Sequence, residues 1–414
     1  MDPLERELRD LLTSDRRDLP VSLLPLDRVH AGASRRRRRR AAVASAATAV
    51  AVLAVAGIAA GAGFLRDDRA PVADSTPTVS RSILPAPVPT STAPDTTVNA
   101  PSGLPWDGKL PLSVTATSTR TFVVLGGVGG PCPSGCLRLA QSSDAGRTFT
   151  PLPVPKGIGQ TGTLPTTDGV QAVRFGSADD GWLFGGDLWS SHDGGYSWRH
   201  LSMPGPVVRL EAAAGSAWAL VGASGDRLHL WTSSVKDDSW ARVPGVTVTG
   251  PADLSVQGDR VVVLGAQDSR LWVGGPGGFA EHPSPCPGAT SVRLSTVGSI
   301  WATCGTGMSA ALHVSADGVL WSDVPVSTDT GSLPNSILVG ARTHNDAIVY
   351  AGVAGSFQRL AADGALSDLA APPPGGSSGK FIAFTTPQVG YAEVGGALYR
   401  TDDGGDTWRK LALG

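Results

Sequence analysis

From about Leu110 to the C-terminus the chain repeats one pattern, and this repeat constrains the fold more than any other feature. The unit is clearest in "VQAVRFGSADDGWLFGGDLWSSHDGGYSWRHL". Its apolar runs are Val170 to Phe175, Gly181 to Phe184, Leu188 to Ser191 and Trp198 to Leu201, with Gly185-Gly186 as a hairpin signal between the second and third. Runs so short, bounded by turn residues, predict strands, and four in succession predict an antiparallel meander. The same unit can be laid over 111–153, 170–202, 207–243, 252–283, 290–324, 336–370 and 380–412. One small sheet cannot cover both of its own faces, whereas a ring of such sheets can. The expected fold is therefore all-β, a seven-bladed β-propeller over residues 105–414. With 53 Gly and 32 Pro, the chain has the turn residues that such a fold needs.

The turn between the third and fourth runs recurs in recognisable form. It reads Ser142/Asp144/Gly146/Thr148/Phe149, Ser191/Asp193/Gly195/Ser197/Trp198 and Thr401/Asp403/Gly405/Thr407/Trp408. The Asp can accept hydrogen bonds from amides of its own turn, Gly supplies a left-handed backbone angle, and the aromatic ring can pack between sheets. Weaker copies occur at Ser233 to Trp240, with Val235 in the Asp position, at Ser315 to Trp321, one residue short, and at Ala361 to Leu366. These residues resemble the Asp-box, or BNR, repeat of sialidases, sortilin-type receptors and photosystem II assembly-factor propellers. The resemblance implies a propeller and a structural role for the turns, and it leaves function open.

The first hundred residues are different in kind, since all eleven Trp and all four Cys lie beyond residue 105. Within 1–34, Asp2 can cap a short amphipathic helix carrying Leu4, Leu8, Leu11 and Leu12. So short a helix is not stable alone, and the expectation is a weakly ordered cytoplasmic tail, with a docking element for a cytoplasmic protein as the sharper reading. Residues 35–40 are six arginines, and 41–64 carry no charge, long enough to span a bilayer core. Arginines on one flank predict an uncleaved single-pass anchor with residues 1–40 in the cytoplasm and the propeller outside. A cleaved signal peptide is the competing reading, with Ala60-Gly61-Ala62 as its cleavage site. Residues 65–104 are rich in Pro, Thr, Ser and Ala and predict a disordered or extended linker. With a net charge of −2, no nucleic-acid partner is expected.

An even number of cysteines outside the membrane suggests disulfides. In the propeller frame all four lie on the top face, where the first strand of each blade begins, and the expected pairs are Cys132–Cys136 and Cys286–Cys304. A zinc site using His282 and Cys286 is the alternative. Sialidase chemistry would require an arginine cluster, a Tyr–Glu pair, an acid and an Arg-Ile-Pro motif. That motif is absent, and the spacing of Tyr391 and Glu393 is ordinary strand alternation. The Gly-x-Ser-x-Gly at Gly375 to Gly379 lacks a strand–elbow–helix setting. No catalytic, metal or cofactor residue is assigned. The expected function is a non-catalytic module binding a protein or glycan on the top face. A sialidase-like glycoside hydrolase is one alternative. The other is a transmembrane sensor acting through its cytoplasmic N-terminus.

Overall fold

The computed structural model describes residue 106 and residues 110–413, apart from 129–134, 161–168, 223–226, 327–332, 352–354 and 375–377. The cytoplasmic tail, anchor and linker expected over 1–104, and Cys132, lie outside the described residues. No helix among the described residues is long and apolar enough to cross a membrane.

Seven antiparallel sheets follow one another along the chain. Blade 1 holds β1 (Leu110–Ala116), β2 (Phe122–Gly127), β3 (Arg138–Ser142) and β4 (Thr150–Leu152). Blade 2 holds β5 (Ala172–Phe175), β6 (Gly181–Phe184), β7 (Leu188–Ser191) and β8 (Arg199–Leu201). Blade 3 holds β9 (Val207–Ala213), β10 (Ser216–Val221), β11 (Arg227–Ser234) and β12 (Ala241–Thr249). Blade 4 holds β13 (Ala252–Gln257), β14 (Arg260–Gly265), β15 (Arg270–Gly275) and β16 (Gly278–Pro283). Blade 5 holds β17 (Ser291–Thr296), β18 (Ile300–Thr306), β19 (Ser309–Ser315), β20 (Ser322–Asp323) and β21 (Leu333–Pro334). Blade 6 holds β22 (Leu338–Ala341), β23 (Asp346–Ala351), β24 (Ser356–Ala361) and β25 (Leu366–Asp368). Blade 7 holds β26 (Gly379–Phe384), β27 (Gly390–Val394), β28 (Ala397–Thr401) and β29 (Arg409–Lys410). The fold is the expected all-β, seven-bladed propeller.

Two boundaries differ from expectation. Blade 3 extends to Thr249 because β12 continues past a register shift opposite β11. Blade 5, expected to end at 324, gains a fifth strand beyond that point, since β21 pairs with the start of β19.

The second strand of each blade is the most deeply buried, because its two faces meet two different blades. Val123 and Leu125 face blade 2, while Phe122 and Val124 face blade 7. In blade 2, Leu183 turns to blade 1 and Trp182 to blade 3. The apolar core is thus divided among seven clusters, each shared by two neighbouring blades. Among the described residues the ring closes between blades 7 and 1 without a shared strand: Trp106, Phe122 and Ala140 pack on Val389, Tyr391 and Leu398.

Trp182 is fully buried and meets Trp240 edge-on across the blade 2–3 interface, with ring centroids 6.4 Å apart. Trp182→Ala is expected to cost about 3–5 kcal/mol, the range for deleting a buried aromatic side chain. Urea unfolding followed by tryptophan fluorescence checks this.

Candidate functional site

The innermost strands β1, β5, β9, β13, β17, β22 and β26 enclose a central channel of about 610 Å³. Their inner edges have no further strand to pair with, and polar side chains take up several of the exposed backbone groups. Ser113 Oγ lies 3.3 Å from both the carbonyl and the amide of Val173, and Thr115 accepts the Phe175 amide at 3.0 Å. The Ala341 amide donates to Ser295 at 2.8 Å, and Ser255 pairs with Thr296.

Charged residues line the same wall. Arg174 pairs with Glu211 at 2.6 Å, and Arg209 with Asp253 at 2.9 Å. Asp253 also accepts the amides of Leu254 at 3.0 Å and Leu294 at 2.7 Å. Enclosure in the wall pushes the Glu211 carboxyl up, against the pull of Arg174. Arg293 and Lys380 are exposed to the lumen, and neither forms an ion pair among the described residues. Among the described residues Lys380 Nζ donates to the Pro111 carbonyl, at 3.4 Å, and its charge also acts on the buried Glu393 carboxyl. Four cations and two carboxylates therefore line the channel, and both carboxylates are already engaged. Sequence reading missed this arrangement. Its trace is a charge at the second or third position of the first strand in five blades: Arg174, Arg209, Asp253, Arg293 and Lys380.

The residues singled out in the turns all lie on the opposite, bottom face, and each turn is built alike. Asp144 accepts from Ser142 Oγ at 2.9 Å, from the Thr148 amide at 3.0 Å and from Thr148 Oγ1 at 2.7 Å, while the Gly146 amide donates to Ser142 at 2.8 Å. Asp193 accepts from Ser191 at 2.8 Å, from the Ser197 amide at 2.8 Å and from Ser197 Oγ at 2.6 Å. Asp403 accepts from Thr401 at 2.8 Å, from the Thr407 amide at 3.0 Å and from Thr407 Oγ1 at 2.5 Å. The amides of Gly195 and Gly405 close on Ser191 and Thr401 at 2.8 Å each. Positive φ at these glycines, 83° at Gly146, 90° at Gly195 and 94° at Gly405, excludes a side chain without strain. The short copy at Ser315 to Trp321 keeps the device, with Asp317 accepting the Val319 and Leu320 amides at 2.8 and 2.9 Å. The Thr148 amide and hydroxyl hold Asp144 well below the usual carboxylate range. At Asp193 and Asp403 burial acts upward, and the hydrogen bonds outweigh it. Phe149 packs on the blade 7–1 cluster, Trp198 between blades 1 and 2, and Trp408 between blades 6 and 7.

His192, beside Asp193, makes a separate contact that the sequence did not reveal. Its Nδ1 lies 2.8 Å from Asp180, and its Nε2 lies 3.3 Å from Asp238 of blade 3. Ser190 and Arg199 donate to the same buried Asp238. The Asp238 bond, opposed by burial and aided by Asp180, pushes His192 up to about 9.

On the top face Cys286 and Cys304 form a disulfide, Cα–Cα 5.3 Å, which takes Cys286 out of any zinc set with His282. Cys136 is disulfide-bonded. Tyr391 and Glu393 do not form a pair. The Tyr391 hydroxyl accepts from Arg400 at 2.6 Å, while Glu393 Oε1 accepts the Gly396 amide at 2.9 Å. Burial pushes Tyr391 up to about 12 despite the Arg400 charge.

No protein-family profile and no curated protein matches the chain. Among solved structures it is similar to YCF48 bound to D1 peptide, at 18% identity and TM-score 0.46 over 77% of this chain and 99% of that one. It is also similar to Sqt1 of Saccharomyces cerevisiae, at 12% identity and TM-score 0.48 over 77% and 89%. A streptogramin B lyase gives 13% identity and TM-score 0.37 over 76% and 85%. At these identities the likenesses concern the fold alone.

Asp193→Ala and Asp403→Ala are each expected to cost about 1 kcal/mol, the lower end for lost carboxylate hydrogen bonds because both turns face solvent. Thermal melts check this. His192 gives a pH signature. Its folded value of about 9 exceeds the 6.5 of an ordinary histidine, so its stabilisation is complete below pH 6.5 and is lost as pH rises towards 9. The melting-temperature gap between the wild type and His192→Asn is expected to shrink over that interval.

Proposed function

We propose that the chain is a single-pass, membrane-anchored protein whose extracytoplasmic propeller binds a protein partner through acidic groups seated at the top of the channel. The carrying observation is the pair Arg293 and Lys380, exposed to the lumen and in no ion pair among the described residues, in a wall whose own acids are engaged. A cation that a ligand covers gains most from an ionised hydrogen-bond acceptor, so a carboxylate side chain or chain terminus is the matching group. The uncharged 41–64 segment behind six arginines, together with the top-face cysteines, supports the anchored, extracytoplasmic placement.

A second reading, a glycoside hydrolase, is favoured by one observation: Arg174, Arg209 and Arg293 share the channel with Glu211 and Asp253. Against it stands the separation of Tyr391 from Glu393 by their different partners. Release of a fluorogenic aglycone by the wild type, abolished in Glu211→Gln and Asp253→Asn, would replace the binding reading with this one.

Crosslinking in intact cells followed by purification of the full chain is expected to capture one dominant protein partner. Arg293→Glu with Lys380→Glu should weaken that capture at least tenfold while leaving the melting temperature near the wild-type value. Capture indifferent to the charge reversal and to salt would remove the channel from the reading. Protease added to spheroplasts is expected to release the propeller by cutting within 65–104 while an N-terminal tag stays protected. Digestion of the tag instead would reverse the topology.

A further inference from the structure

The seam where blade 7 meets blade 1 carries a second cationic feature, on the bottom face and separate from the channel. A cleft of about 470 Å³ opens there between the turns at Thr119-Arg120 and Asp144 to Arg147 of blade 1 and the end of β28. Its buried side is formed by Arg400, 2% exposed, which donates to Tyr391 at 2.6 Å, to the Thr119 carbonyl at 2.7 Å and to Asp402. Arg409 reaches the rim, donating to the Ala145 carbonyl at 2.8 Å and lying 3.9 Å from Asp402. Both nearby carboxylates are therefore occupied, Asp402 by these arginines and Asp144 by its own turn. Arg120 and Arg147 also line the cleft, are exposed, and have side chains with no hydrogen bond or ion pair among the described residues.

Three guanidiniums line the concavity and a fourth, Arg409, contacts its rim, against two engaged carboxylates, so positive charge is in excess. Like charges held this close repel, and nothing in the fold requires Arg120 or Arg147: their turns are closed by backbone groups, Ser118 and Asp144. Guanidiniums present paired N–H donors that match the oxygens of carboxylate or phosphate bidentately. The volume falls within the range of small-ligand sites. We propose that this seam cleft binds an oxyanion of carboxylate or phosphate type, belonging to a larger ligand, held between Arg120 and Arg147 with Arg400 as a fixed positive floor.

The test uses the full chain in detergent and calorimetric titration with pyrophosphate and with citrate, which separate the phosphate from the carboxylate source. Saturable, salt-sensitive binding of at least one probe is expected. Arg120→Gln with Arg147→Gln should weaken it at least tenfold, with an unchanged melting temperature because neither side chain has a partner to lose among the described residues. Arg293→Gln with Lys380→Gln should leave it intact, which makes the outcome independent of the channel reading. Absence of saturable binding of both probes, binding unchanged in the Arg120/Arg147 variant, or binding lost only in the Arg293/Lys380 variant would each overturn the proposal.

Discussion

Burial of one blade's apolar face against the next is the interaction on which everything else in this structure depends. A four-stranded sheet with apolar residues on both sides of its second strand has no stable existence alone, because neither face is covered from within. Each face here is completed by a neighbour: Leu183 and Trp198 by blade 1, Trp182 by Trp240, Ile348 by Ile382 and Phe384. The final interface differs only in how it is reached. Blades 7 and 1 are joined by packing and by Arg400, which crosses to the Thr119 carbonyl, with no strand shared between them among the described residues.

That closure produces both sites described above. Innermost strands fan around an axis, so their free edges cannot pair with one another as strands do, and side chains complete the bonding. Ser113, Thr115, Ser295 and Asp253 do this, and Asp253 is at the same time the partner of Arg209. The acids of the channel are thus committed to holding the ring together, and the charges left to a ligand are cationic. At the seam the same division holds: Arg400 and Asp402 stabilise the joint, while Arg120 and Arg147 remain open.

The Asp turns occupy the bottom face for a local reason. A turn that joins the outer two strands of a blade must satisfy several amides within a few residues, and one carboxylate with a flanking hydroxyl does so at Asp144, Asp193 and Asp403 alike. A network that includes His192 shows what neighbouring blades can add to such a turn. Asp238 arrives from the next blade, lies buried against Ser190, and converts an ordinary turn histidine into a cation at neutral pH.

The sequence by itself determined the number of blades, most of the strands and the Asp turns, because each is fixed by contacts within about forty residues, the scale on which apolar runs and turn residues can be read. It also placed Cys286 and Cys304 on one face, since each lies near a strand end whose direction follows from blade order. Asp253 meeting Arg209 across 44 residues, or Arg400 meeting Thr119 across 281, left only a stray charge in an apolar strand as a trace. Only the tertiary structure decided which charges are used up and which remain open. Partnership in a ring depends on the face that each strand turns to its neighbour and on how the last blade meets the first, and both are settled when the apolar interfaces close.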